Sequence, residues 1–209
     1  MTDAPAAGFA RRWIVRVTIA EAAGFAVAAG VGASLAVTAA PTAIAYPAAV
    51  LAGAVEGLAL GTGQYSAMRG GRPGRAAWLG ATAGAAAVAW ALGMLPSTIG
   101  VDLESPTTWV LLAFGAVLLL ASIPVAQWLV LRAAGRRDAG AWVPVTMGAW
   151  ALAILWTAAP SPFIDERSPF ALVIVLYVIA GVLMAVTVAA LTAPLARRLF
   201  AGSPSRSGR

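Results

Sequence analysis

The sequence holds no cysteine, no histidine and no lysine in its 209 residues. Without cysteine or histidine there is no disulfide, no thiolate or imidazole nucleophile, and none of the side chains that usually hold zinc. Without lysine there is no phosphate loop of the Gly-x4-Gly-Lys type. The apolar runs contain no aspartate, which excludes paired-aspartate catalysis within a membrane. No catalytic, cofactor-binding or metal-ligating residue is therefore assigned, no cofactor is expected, and an enzyme is not the expected reading. Charge is also scarce. Only 11% of residues are charged, against about a quarter in soluble domains, which must cover themselves with solvated groups.

What is abundant is apolar: 61% of residues are hydrophobic and the mean hydropathy is +0.86. A helix of roughly 20 apolar residues, rising about 1.5 Å per residue, crosses about 30 Å of hydrocarbon. The expected fold class is all-α, a polytopic bundle of about six helices forming one transmembrane domain over 1–209. The spans fall near 13–40, 44–68, 76–96, 108–132, 141–160 and 169–196, with 197–209 as a flexible tail. Prolines and glycines mark the breaks, from Pro41 and Pro47 to Pro160, Pro162 and Pro169. Outside these runs nothing is long enough to build a soluble core. The first run follows arginines, as a cleaved signal would, but Glu21 interrupts it and it exceeds the usual 7–15 residues, so it is read as a retained span.

The basic residues are all arginine, 14 in number. Arg11, Arg12 and Arg16 lie in the N-terminal segment at the start of span one, and Arg69, Arg72 and Arg75 follow span two. Arg132, Arg136 and Arg137 follow span four, and Arg197, Arg198, Arg206 and Arg209 close the chain. Only Arg167 lies in the opposite loops, which instead carry Asp102, Glu104, Asp165 and Glu166. By the positive-inside rule the arginine face, with both termini, is cytoplasmic. The net charge of +6 is thus loop arginine beside a lipid bilayer, the expected partner, and nucleic acid is not expected. Arginine without lysine, together with abundant alanine and glycine, fits a high-GC bacterial composition and a bacterial plasma membrane. Trp13, Trp78, Trp128 and Trp142 fall near the arginine ends of spans and Tyr46, Trp109 and Trp156 near the others, where interfacial aromatic belts form. Trp90 and Trp150 lie deeper, as packing residues.

The chain also repeats. Gln64 and Arg69 recur 63 residues later as Gln127 and Arg132. Trp78, Thr82, Gly84, Pro96 and Ser97 recur 64 later as Trp142, Thr146, Gly148, Pro160 and Ser161. The repeated unit, 46–97 and again 109–161, is a two-helix hairpin, so both copies run the same way through the bilayer: a tandem, parallel repeat. A fainter third copy is split across the ends, where Trp13 and Thr18 start span one and Arg197 ends span six. In that arrangement span six pairs with span one, and three hairpins surround an axis.

The stretch Gln127-Trp128-Leu129-Val130-Leu131-Arg132, with its counterpart Gln64-Tyr65-x3-Arg69, resembles uncharacterised bacterial multi-pass membrane proteins with a Gln-Trp-x-x-Leu-Arg helix end. The resemblance covers 46–161 and implies no activity. Physically, each Gln can hydrogen-bond across helices, at about 0.6 kcal/mol on average in membranes. Arg69 and Arg132 can reach headgroups or the last carbonyls of their helices. These four residues serve either as interhelical glue or as polar groups lining a cavity.

Two acids lie inside spans. Glu56 is about 18 Å from the arginine end of span two, and Glu21 about 12 Å past Trp13. An ionised carboxylate at such depth is costly unless paired or hydrated, so it faces the bundle interior and marks a pathway, or hydrogen-bonds a neighbouring helix. Arg16 is the expected partner of Glu21. Leu119 stands where the repeat would place a second Glu56, so this acid breaks the symmetry. Gly57-x3-Gly61, Gly24, Gly30 and Gly80-x3-Gly84 offer close helix contacts, and leave a homo-oligomer or another membrane protein open as partner. Two functions follow: a non-catalytic structural, accessory or sensory membrane protein, or a small permease or ion- or proton-conducting protein using Glu56 with Glu21.

Overall fold

The structure is a computed structural model that describes residues 4–165 and 168–202. Its long helices are α1 (Ala4–Val37), α2 (Thr42–Ala67), α3 (Arg75–Ile99), α4 (Pro106–Ala133), α5 (Trp142–Ala153) and α7 (Phe170–Phe200), with the short α6 (Leu155–Ala158) continuing α5. Among the described residues there is no strand. Six segments are long and apolar enough to cross a membrane. In hydrocarbon every backbone group must be satisfied within its own segment, which leaves the helix as the solution for such runs. The protein is a multi-pass integral membrane protein.

The helices close a ring. α1 packs on α2, α2 on α3, α3 on α4, α4 on α5 and α5 on α7, and α7 returns to α1. Glycine makes the first half of this ring tight. A Cβ on Gly24 of α1 would lie 2.9 Å from the Glu56 Cα of α2, and one on Gly63 would lie 2.8 Å from the Arg16 carbonyl oxygen. On the other face of α2, a Cβ on Gly57 would meet the Ala86 Cβ of α3 at 2.4 Å. Gly30, Gly80 and Gly84, expected to pack in the same way, have nothing within 4 Å. Backbones approach closely on both sides of α2 and not along the outer face of α3.

Four sequence boundaries shift. α1 begins well before residue 13, because Phe9 is buried and stacks on Trp13 at 6.2 Å. α3 continues through Pro96 to Ile99. The span expected over 141–160 is broken at Ile154: a 3-10 turn over Arg137–Ala141 leads into α5, and another over Ser161–Phe163 follows α6. Here two prolines, Pro160 and Pro162, offer no N–H to the carbonyls four residues before them. The chain tightens to bonds three residues apart, from Thr157 N to Ile154 O (3.0 Å) and from Phe163 N to Pro160 O (2.9 Å). α3 has Thr98 at the place of the second proline and stays helical. Lastly, 197–200 is not a flexible tail: α7 runs to Phe200, which is fully buried. Glu166, Arg167, Arg206 and Arg209 lie outside the described residues.

At the arginine end the helix C-termini are tied to one another. The backbone N–H groups of Arg69 and Gly70 both donate to the Phe200 carbonyl at 3.0 Å. The Arg136 guanidinium donates to the Leu199 carbonyl at 2.7 Å and also pairs with Asp138 at 2.9 Å. Arg12 donates to the Ala67 carbonyl at 3.1 Å, and Arg16 to that of Ser66. Carbonyls that a helix leaves unpaired at its last turn thus receive cationic or backbone donors from neighbouring segments.

Candidate functional site

The interior is layered along the ring axis. The layer nearest the arginine end is aromatic. Trp13, Trp78 and Trp142, from α1, α3 and α5, are fully buried around Phe200 of α7, their ring centroids 6.0, 6.1 and 5.8 Å from its own. These three indoles do not form an interfacial belt as their positions suggested; they turn inward and plug the bundle. Two of the three indole N–H groups find a partner inside, as buried indoles usually do, and that of Trp78 has none among the described residues. Trp13 Nε1 donates to Thr192 Oγ1 at 3.1 Å, and Trp142 Nε1 to Gln127 Oε1 at 3.0 Å. Trp128 keeps an interfacial character, half-buried with the Arg132 guanidinium 5.0 Å over its ring.

A polar layer lies on the plug. Gln127 Nε2 donates to Gln64 Oε1 at 2.7 Å and to Thr82 Oγ1 at 3.0 Å, joining α4 to α2 and α3. Thr82 in turn donates to the Trp78 carbonyl at 2.8 Å. Both glutamines are buried, and neither is among the residues that line the cavity beyond them. Arg69 and Arg132, five residues beyond each Gln, are exposed at the helix ends and do not converge with them. The structure brings together the two Gln side chains of the sequence motif and leaves its arginines apart.

Beyond the glutamines the axis opens into a cavity of about 350 Å³, which Glu21, Glu56, Phe25, Trp90, Trp150 and Met184 help to line. Its wall on α3 extends from Ala86 to Met94, a rise of about 12 Å. It passes Gly93 and the helix break at Ile154, both exposed. Glu56 is 7% exposed, and its Oε2 accepts a hydrogen bond from Trp90 Nε1 at 2.8 Å. Glu21 is fully buried, and no N–H or hydroxyl of the chain reaches its oxygens; its partner is the Glu56 carboxyl. The two carboxyls interact directly, held side by side where Gly24 lets α1 approach α2. Arg16 is not the partner of Glu21; its side chain points to the Ser66 carbonyl at the end of α2.

Positions equated by the sequence offsets meet on this one cavity. Glu56 and Leu119, Gly57 and Leu120, and Leu60 and Ile123 stand 63 apart and line it in pairs. Ala86 and Trp150, Trp90 and Ile154, and Gly93 and Thr157 stand 64 apart and do the same. Glu21 and Phe25 of α1 precede Ala86 and Trp90 by 65, as Trp13 precedes Trp78; Met184 of α7 follows Leu119 by 65, as Thr192 follows Gln127. Reading from residues alone missed Phe25 and Thr192 and gave Trp90 and Trp150 only a packing role. Extending the offset to the first and last spans would have found them.

Chemically, the cavity is an apolar chamber with two carboxyls and no basic side chain in its wall. Among the described residues no group of three or more acids forms a metal site. Comparison with protein-family models, with curated proteins and with solved structures finds no match for this chain.

Proposed function

We propose that this is a non-catalytic membrane protein of the sensory or accessory kind, which takes a small solute into the axial cavity at Glu21 and Glu56. One observation carries the reading: the cavity holding the two buried acids is sealed toward the arginine end by the glutamine layer and the Trp–Phe plug. A site reached from one end binds; it does not conduct. A volume of about 350 Å³ falls at the small end of ligand pockets, about 300–1,000 Å³. The cyclic order of the helices and the paired lining positions support three hairpins about one axis, the third made of α7 and α1. In that arrangement Glu56, Leu119 and Met184 are equivalent positions, and the acid marks one third of the wall as different.

A second reading, a permease or proton-conducting protein, is favoured by the helix break at Ile154 in the cavity wall. Discontinuous helices form the substrate sites of many transporters. It requires the plug and the glutamine layer to part. We place the arginine end in the cytoplasm of a bacterial cell on the charge bias of the loops.

Because the chain has no cysteine, single cysteines report access without background. With a membrane-impermeant methanethiosulfonate on oriented vesicles, Leu119→Cys in the cavity reacts from the acidic-loop side only. Gly135→Cys, in the loop after α4, reacts from the cytoplasmic side only. Leu119→Cys unreactive from both sides rejects a solute site; reaction from both sides favours the permease, which proton or solute flux in liposomes, abolished by Glu56→Gln, then establishes.

A further inference from the structure

The ionisable groups of the cavity wall are all acids. Two carboxyls face it, and the remaining wall is aromatic, aliphatic or thioether, from Phe25, Trp90 and Trp150 to Leu119, Met94 and Met184. The arginines nearest in sequence are turned elsewhere: Arg12 and Arg16 cap the carbonyls of Ala67 and Ser66. Glu21 is fully buried, no N–H or hydroxyl of the chain reaches its oxygens, and its hydrogen-bond contact is the Glu56 carboxyl, a bond that exists only while one of the two acids holds a proton. What the site lacks is any basic group of its own.

We infer that the solute is a small organic monocation, a protonated primary or secondary amine on an apolar body, bound through Glu21 and Glu56. The inference rests on the reading of the cavity as a solute site and specifies its chemistry. An ammonium group can replace the proton between the two carboxyls, donating N–H bonds to both and bringing the positive charge that no residue of the wall supplies. Aromatic faces within the same chamber attract a cation through their quadrupoles, and the aliphatic and thioether wall takes the apolar remainder. Three other classes fit less well. A neutral solute gains nothing from the acid pair, and an anion finds no basic group to hold it. A hard inorganic cation needs about six oxygen ligands, where this wall offers two carboxyls in apolar surroundings.

The test is calorimetric titration of the full chain in detergent at neutral pH with phenethylamine, its neutral analogue propylbenzene and the anion 3-phenylpropanoate. The expected result is saturable binding of the amine alone. Glu21→Gln weakens it about tenfold, the equivalent of one charge-assisted hydrogen bond, and Leu119→Trp, which fills the chamber and keeps both acids, abolishes it. Propylbenzene or 3-phenylpropanoate binding as tightly as the amine, or a folded Glu21→Gln with unchanged affinity, overturns the monocation and leaves the solute site standing. If none of the three compounds binds, both readings fall. Should Glu21→Gln not fold, Glu56→Gln and Leu119→Trp decide, and unchanged amine binding in either overturns the inference.

Discussion

The two interior levels of this bundle use similar materials to opposite ends. Toward the arginine end, Gln64, Gln127 and Thr82 satisfy one another and the indole of Trp142, with aromatic rings filling the remaining space. One to two turns away, Glu21 and Glu56 sit among aromatic rings around an open chamber, and Glu21 faces only the other carboxyl. Both levels are polar groups in an apolar bundle. Bonds from helix to helix and filled space mark the first as framework, and the open space beside the acid pair marks the second as a place for something else. Buried polar groups rigidify a structure when all their bonds are made and weaken it when they are not.

Substitutions can break that comparison. The largest expected effect is that of Trp142→Ala, which removes a fully buried ring from the plug and the donor from Gln127 Oε1. Large-to-small changes of this kind cost about 3–5 kcal/mol, read as a lower midpoint of unfolding in detergent. A loss no greater than that from the half-buried Trp128→Ala would mean the plug is not a core. Gly57→Leu comes next, at about 1–3 kcal/mol of overpacking, since its Cβ already falls within 2.4 Å of the Ala86 Cβ. Gly84→Leu, with open space beside it, leaves the midpoint where it was; a large loss there would point to a partner covering that face.

The sharpest contrast is between two changes that each remove a buried polar group. Gln127→Leu breaks bonds to Gln64, Thr82 and Trp142, each about 0.6 kcal/mol on average in membranes, and lowers stability by about 1–2 kcal/mol. Glu21→Met, by contrast, removes a buried carboxyl whose only partner is another carboxyl, leaves Glu56 its bond from Trp90, and raises stability by about 1 kcal/mol. Opposite signs in parallel unfolding experiments distinguish framework from site. If Glu21→Met destabilises as much as Gln127→Leu, the acid is part of the framework.

Six spans were legible in the sequence because the bilayer demands long uncharged runs, and the depth of Glu56 followed from its distance to the nearest arginines. The interior was less legible, for definite reasons. Tryptophan near a span end is consistent with an interfacial ring or a buried one, and only the converging neighbours of Trp13, Trp78 and Trp142 decide between them. Arg16 stands near Glu21 in sequence, yet its side chain is long enough to reach the end of α2, where the unpaired Ser66 carbonyl competes for it. The break at Ile154 depends on a second proline, Pro162, whose effect on the preceding turn is not visible in hydropathy. Gly57 and Gly61 were recognised as packing residues and do face α3 closely, whereas the same spacing at Gly80 and Gly84 faces outward. A small-residue motif gives the possibility of contact and not its direction.

The plug also has consequences for how the protein is made. Its central ring, Phe200, arrives at the end of the last helix, and its carbonyl receives the Arg69 and Gly70 amides from a turn synthesised well before it. Domains assemble in the order in which the ribosome delivers them. Until α7 has entered the bilayer, Trp13, Trp78 and Trp142 surround an unfilled space, and the ring between α5 and α1 stands open. Before α7 inserts, the indoles and the acids therefore lie open toward the gap it will fill, and its insertion closes the ring.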